Sequence, residues 1–457
     1  MKKEAIMQTK ILAEFALALT YQDLPARAVT MAKQCVEDLI GVALAGSATE
    51  QGRIWHTYFS RRTDGLQAAA WMPGFPGLAW REAAALNAAC GHLLDMDDVH
   101  SGSITHLGVI TIPAALAAGS AFHRSGREVI AAIAAGYEVG ARVGEAVNPG
   151  AYHYWHTTGV VGALATAAAV GKLLGLDDDQ YLSAFGSAGT QAAGLWEFLP
   201  DGAMSKPLHT ANATLCGIRA AELAQLGLTG AGRILEGPRG LVKALSPTPE
   251  LSVLTADLDT QRLRILENAF KPYACCRHLH AACQALEELA AGGCLRPEDI
   301  CAIRDNTYAV AKDTIDCPAP ETPYAGKFSA QYTLPALLCT GELTESSFSK
   351  ETLANPALRR LMSRVTVTVD PELEMVFQKD PTCWPHRLEI VMKDGRVLEK
   401  TVYFPPGDPR NPFSQKECDE KFQKMTVLLP IEARERLLCK LHALEQLEDV
   451  SSLFTAV

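Results

Sequence analysis

Apolar positions recur with a helical period through most of the first half of the chain. Val29, Ala32, Cys35, Val36, Leu39, Ile40 and Ala43 fall on one face of a helix that the Gly46 region closes. The same pattern returns at Val129 to Val147, at Val160 to Leu174 with Gly175 as its stop, and at Leu215 to Leu226. These segments are rich in Ala and Gly and are apolar on more than one side, which predicts central helices with closely approaching axes. After about Asn268 the texture changes. Leu279 to Leu289 stays helical, but Ala302 to Ala311 and Arg364 to Asp370 alternate as strands do, and His386 to Phe404 reads as a hairpin around Lys393-Asp394-Gly395-Arg396. A Pro-rich run, TVYFPPGDPRNPFS, leaves that unit, and Ile431 to Leu447 is again an amphipathic helix. The expected fold is mainly α with a second α+β domain: an all-helical domain over 1–267, a smaller lid-like α+β domain over 268–408, and helices over 409–457 returning to the helical body. No fixed-period repeat argues for a solenoid.

With 457 residues the chain exceeds one comfortable core, which agrees with two domains. A net charge of −10 argues against a nucleic-acid surface, while leaving room for a local cationic pocket. The opening segment lacks a small-residue cleavage site after its interrupted apolar part, so no signal peptide is expected. The Ala-rich run Val160 to Leu176 is broken by Lys172 and is too short to span a bilayer, so no membrane partner is expected either. Thirteen scattered cysteines without a Cys-x-x-Cys pair suit reduced thiols in a cytoplasmic protein, serving mostly as small core residues.

The candidate chemistry centres on LLDMDDVHSGSITHLGVITIP, from Leu93 to Pro113. Between two apolar helices it carries Asp95, Asp97, Asp98, His100 and His106 with Gly102 and Gly108, so titratable groups lie against buried elements. A polar loop with an Asp cap is the plain alternative. In AYHYWHTTG, His153 and His156 could ligate a metal but have no third partner at a recognisable spacing. His156 with Thr157 and Thr158 suits a carboxylate contact at a helix N-terminus, and simple capping is an equal reading. Lys206 and His209 lead into a long Ala-rich helix, among Trp196, Phe198, Leu199 and Leu208. In NAFKPYACCRHLHAACQALEEL, Lys271 and Arg277 are suited to pair with a substrate carboxylate. Burial explains adjacent Cys275 and Cys276 more simply than a nucleophile does. Tyr324 and Lys327 precede another apolar helix, where plain helix-start chemistry is an alternative. Walker, GxGxxG, GxSxG and HExxH patterns are absent. Asp, His and Lys remain, an inventory for moving protons at a carbon next to a carboxylate.

Taken in order, LLDMDDVHSGSITHLGVITIPAALA, YWHTTGVVGALATAAAVGKLLGL, GAMSKPLHTANAT, LTGAGRILEGPRGLVKAL, FKPYACCRHLHAACQAL, GKFSAQYTLPALL and GDPRNPFSQKECDEKF resemble segments of the MmgE/PrpD family, which includes 2-methylcitrate dehydratase, cis-aconitate decarboxylase and iminodisuccinate epimerase. The resemblance implies a helical domain, a smaller α+β domain, a pocket between them, a homodimer, and no metal or organic cofactor in the epimerase and decarboxylase branches. It implies catalytic roles for Asp95, His106, Lys206 and Lys271, with His156, His209, Arg277 and Tyr324 around the substrate. Val99 stands where the decarboxylase branch tends to carry Thr, and the Asp95 to His106 spacing is one residue longer than in that branch. The register of Cys276, His278 and His280 against that branch's second histidine stays open. The leading expectation is a hydro-lyase acting on a small di- or tricarboxylate, with an epimerase or a carboxy-lyase as alternatives. A non-catalytic carboxylate-binding protein and a Cys276 nucleophile are the rivals from other classes.

Overall fold

The computed structural model describes residues 7–291 and 295–455. Cys294 and the charged opening residues lie outside that range.

The first apolar core is built from helices Ala26–Ser47, Trp80–His92, Leu107–Ala121, Gly126–Val147, Thr157–Leu174, Asp178–Gly189 and Lys206–Gln225. Helix Thr157–Leu174 is long and apolar enough to cross a membrane, yet 94% of it is buried inside the protein, which makes it a core helix. Small residues set its packing. A Cβ on Gly217 would lie 2.4 Å from Thr166 Cβ and 2.6 Å from the Ala163 carbonyl oxygen, so glycine is what lets helix Lys206–Gln225 approach so closely. Gly175 closes helix Thr157–Leu174 in the left-handed conformation (φ 71°), the stop that the sequence signals.

The second core gathers around a four-stranded sheet in the order Val365–Val369, Ile300–Thr307, His386–Met392, Val397–Val402. The first pair is parallel and the other two are antiparallel. Strand Val365–Val369 and the hairpin around Gly395 match the expected alternation. The first strand is shorter than Ala302 to Ala311 suggests, because the chain turns into helix Ala309–Ile315, whose N-terminus Glu374 caps by accepting from the Ala309 N–H at 2.8 Å. Helices Gln415–Met425 and Ile431–His442 place Cys418, Phe422, Leu437 and Leu441 in the first core.

Of the twelve described cysteines all are free, and Cys301, Cys339 and Cys439 are exposed, so these three are not the core residues that composition suggests.

Candidate active site

Helix Trp80–His92 ends at the first residue of the site, and helix Leu107–Ala121 begins directly after His106. The connection between them is buried almost throughout. Loops usually run over the surface because their backbone polar groups need water. This one is held inside by bonds from distant parts of the chain. Val99 and His100 pair antiparallel with Ala269 and Asn268. Lys327 Nζ donates to the Leu94 carbonyl at 2.9 Å and Lys421 Nζ to the Met96 carbonyl at 2.8 Å. Lys327 is therefore not plain helix-start chemistry: its ammonium crosses to the loop and also pairs with Glu345 at 2.8 Å.

Asp95 sits at the centre, 1% exposed, with Lys206 Nζ at 2.8 Å and Lys271 Nζ at 3.3 Å from the same oxygen. Burial alone would raise its pKa, but the two ammoniums overcome that and hold the carboxyl well below the usual range. Its backbone is left-handed (φ 54°), which Asp tolerates, whereas nearby Ile104 (φ 50°) is β-branched and strained there. Burial lowers the Lys271 pKa and Asp95 opposes that shift.

Asp97 lies between two imidazoles. His92 Nδ1 is 2.8 Å from Asp97 Oδ2, and His106 Nδ1 is 3.1 Å from it but off the hydrogen-bond axis. Burial pushes His92 down to about 4, so it is neutral at pH 7 and donates its Nδ1–H to Asp97. With Nδ1 turned to Asp97, His106 keeps Nε2 as its second ring nitrogen. Motif reading passed over His92 and named Asp97 among the carboxylates of the connection without giving it a role. Their signal was available: a histidine five residues before a carboxylate at a helix end.

His156 is the N-cap of helix Thr157–Leu174, and its ring stacks on His92 at 5.5 Å. Neither threonine caps that helix: Thr158 accepts from the His106 N–H at 3.1 Å, and Thr157 bonds Asn148. His156 Nδ1 is 3.1 Å from His209 Nδ1. Burial and the Lys206 charge lower both rings, His209 to about 4 and His156 well below the ordinary imidazole value. Both are neutral at pH 7, so one donates and the other accepts. Lys206 and His209 do not precede their helix; they form its first turn, Lys206 as its first residue. His106, His156 and Lys206 thus bring the N-termini of three long helices to one place, where the partial positive charge of each favours an anion. His153 is exposed while His156 is buried.

A small cavity of about 30 Å³ lies among these groups. Asp95, His106, His156 and Lys206 line it from the helical side, with Val99, Ile104, Tyr152 and Trp196. Cys276, Arg277, His278, Phe328 and Trp384 line it from the second core. Lys271, His209 and Tyr324 stand behind this wall, Lys271 against Asp95, His209 against His156, and Tyr324 against Phe198 and Phe328. Cys276 and His278 face the cavity, while His280 turns to Arg277 at 3.2 Å and to the Cys275 carbonyl. His278 bonds Tyr308 at 2.5 Å, stacks on Trp384 at 4.2 Å, and burial pushes it down to about 3. Burial and the Asp95 charge push the Cys276 thiol up to about 12, which disfavours a thiolate nucleophile. Arg277 is committed to Asp408 at 3.8 Å and to the Phe270 carbonyl at 3.4 Å.

Buried polar atoms without partners cluster here: Asp95 Oδ2, His92 Nε2, His156 Nε2, His278 Nε2, Trp196 Nε1 and Tyr324 Oη. Such atoms are costly unless something bonds them, so they mark where a polar ligand would sit. About 30 Å³ holds roughly one water. A small carboxylic acid needs the wall to move, and Tyr152 with Trp196, ring centres 5.2 Å apart, separates this cavity from an outer groove of about 240 Å³. A larger cleft of about 580 Å³ carries Asp201, Asp313, Asp316 and Glu321, a lining that repels carboxylates.

His92, Asp95, Asp97 and His106 place ligand atoms within 4.8 Å of one another, a spacing that a metal ion could bridge. Lys206 and Lys271 already neutralise Asp95, however, and their charges oppose a dication at that position.

Comparison with known proteins agrees with this architecture. The chain is 28% identical to the cis-aconitate decarboxylase of Homo sapiens over 98% of its own length and 95% of that protein. It is 28% identical to the cis-aconitate decarboxylase-like protein oryM of Aspergillus oryzae, over 98% and 97% of the two chains. A 2-methylcitrate dehydratase-like protein of the same fungus, oryR, is 29% identical over 32% of this chain and 30% of its own. The MmgE/PrpD N-terminal domain matches residues 10–254 and the MmgE/PrpD C-terminal domain residues 273–444, and the chain therefore belongs to the MmgE/PrpD family.

Proposed function

We propose that this protein is a lyase that moves a proton at a carbon next to a carboxylate of a small di- or tricarboxylic acid, using its own side chains. The observation that carries this reading is the pairing of His106 with Asp97 beside Lys206 and Lys271, where three helix N-termini meet. A substrate carboxylate bound by Lys206 and the helix N-termini can accept the charge that develops when the adjacent C–H bond breaks. His106 takes that proton, and Asp97 stabilises the imidazolium that results. Asp95 holds the two ammoniums in place, His156 and Arg277 face the acid, and His209 and Tyr324 support that wall from behind.

The same arrangement serves three outcomes. If hydroxide leaves the neighbouring carbon with a proton, water is eliminated. If CO2 leaves first, the electron pair left on carbon takes a proton from protonated His106. If a second group returns the proton on the opposite face, the centre is epimerised. Elimination is the reading that the sequence put first. The near full-length match to proteins named cis-aconitate decarboxylase favours loss of CO2, with Val99, Ile104, Phe328 and Trp384 supplying an apolar wall for a departing neutral molecule. A homodimer belongs to this reading and is checked by light scattering on the eluting protein.

The test is incubation in D2O with 2-methylcitrate, cis-aconitate and iminodisuccinate separately, followed by NMR. Deuterium at the carbon next to a carboxylate, with product from one acid, is the expected result. Tight binding of these acids with no exchange and no product would make the protein a carboxylate-binding protein instead.

A further inference from the structure

Glu37, Asp419 and His442 meet where helices Gln415–Met425 and Ile431–His442 cross helix Ala26–Ser47, away from the cavity described above. His442 Nε2 lies 3.1 Å from Asp419 Oδ1 and 3.4 Å from Glu37 Oε2. Ligand atoms around a tetrahedral zinc at about 2.1 Å stand roughly 3.4 Å apart; the two distances from His442 are close to that, and all three ligand atoms lie within 4.8 Å of one another. At their centre is the side-chain amide nitrogen of Gln415. It lies 2.9 Å from Glu37 Oε2, 2.7 Å from Asp419 Oδ1 and 3.1 Å from His442 Nε2. That amide, with its two hydrogens, fills the space between the three side chains, and the His442 ring nitrogen is itself 3.1 Å from Asp419 Oδ1.

A second observation points the same way. The Glu37 side chain is 2% exposed, forms the floor of the cluster, and its Oε1 has no hydrogen-bond partner. A buried carboxylate in that condition is short of positive charge. Asp419 and His442 are 32% and 40% exposed, so an ion can reach the floor from solvent. The other two groups of possible metal ligands differ. Lys206 and Lys271 occupy the first, and Arg264 sits on Glu145 and Glu267 in the third. Here the nearest lysine, Lys33, is turned to the His442 carbonyl at 2.8 Å and to Glu445 at 3.0 Å.

We propose that Glu37, Asp419 and His442 form a binding site for a divalent first-row metal ion, with Gln415 rotating to offer its Oε1 as a fourth ligand. One histidine nitrogen with hard oxygen donors suits Zn2+, Co2+ or Mn2+. Such an ion would pin the two C-terminal helices to helix Ala26–Ser47. The neighbouring residue on that helix, Asp38, pairs with Lys421, whose ammonium also holds the Met96 carbonyl of the buried connection.

The experiment uses full-length protein stripped with a chelator and titrated with Co2+, followed by displacement with Zn2+ and by thermal unfolding. One equivalent of Co2+ should give visible d–d absorption, and Zn2+ should displace it and raise the unfolding temperature. His442→Ala and Asp419→Ala, both partly exposed, should each weaken binding at least tenfold and abolish the thermal shift. Gln415→Glu, which adds an anionic ligand, should tighten binding. Absence of binding to the unsubstituted protein, or binding and thermal shift unchanged in both alanine variants, overturns the proposal.

Discussion

Helix Thr157–Leu174 and the connection 93–106 touch where His106 meets Thr158, and both are buried almost completely. One is a regular helix of Ala, Val, Gly and Leu whose backbone bonds are satisfied within itself. The other has three carboxylates and two histidines, with two residues of strand as its only regular structure. The helix is stable inside because it is mostly apolar and its few polar groups are bonded, Thr166 donating to the Ile110 carbonyl at 2.8 Å and Lys172 to the Leu17 carbonyl at 2.7 Å. The connection is stable inside because lysines from elsewhere, Lys206, Lys271, Lys327 and Lys421, bring cations to its carboxylate and carbonyls. Packing made from small residues is a local property of sequence. Charge compensation is assembled from positions more than a hundred residues apart, and it fails if one member is removed.

Asp95→Asn breaks that compensation most severely. Asn accepts the left-handed backbone as Asp does, so the change isolates the charge and leaves Lys206 and Lys271 facing each other unpaired. A loss of about 3–5 kcal/mol in unfolding free energy is expected from breaking a buried pair, read by urea unfolding. A change below 1 kcal/mol would show that the buried connection does not depend on its lysines.

His106→Ala should separate function from packing. Turnover on whichever acid is processed should fall by roughly 10²–10⁴-fold, the usual worth of general acid–base catalysis, with the unfolding midpoint nearly unchanged. Unaltered kinetics would remove His106 from the mechanism.

Gly217→Ala tests the helical side of the comparison. Overpacking against Thr166 and the Ala163 carbonyl should cost about 1–3 kcal/mol of stability. It should leave the pH dependence of activity where it was, since no charge is touched.

Asp98→Asn makes the most conditional change, one read only as a pH dependence. Burial pushes Asp98 up to about 7, against the hydrogen bond from Tyr137. Between roughly pH 4, the ordinary carboxylate value, and pH 7, the folded protein holds a proton that the unfolded chain has released. This residue's contribution to stability therefore falls as pH rises through that window. His92, pushed down to about 4 by burial, has the opposite sign: its contribution is present above about pH 6.5 and is lost as pH falls toward 4. The two oppose each other in the wild-type protein. Relative to it, Asp98→Asn should gain stability as pH rises from 4 to 7, by at most about 1.4 kcal/mol per pH unit. A flat difference between pH 5 and pH 7 would show that Asp98 is ionised in the folded state.

What the sequence alone determined follows from local physics. The period of apolar residues, Gly175 as a helix stop and Asp394-Gly395 in the hairpin set the elements, because helix and turn preferences act over a few residues. The ordered motifs then carried the family, and through it Asp95, His106, Lys206 and Lys271. Tertiary structure decided the rest. That Asp97 stands between His92 and His106, that Lys327 and Lys421 hold backbone carbonyls of the connection, and that Lys206 begins its helix instead of preceding it are facts of placement. So is the meeting of Glu37 with Asp419 and His442. The physical reason is that electrostatic pairing depends on distance in space and burial, which the local period of the chain does not encode, whether the partners are five positions apart, as His92 and Asp97 are, or hundreds.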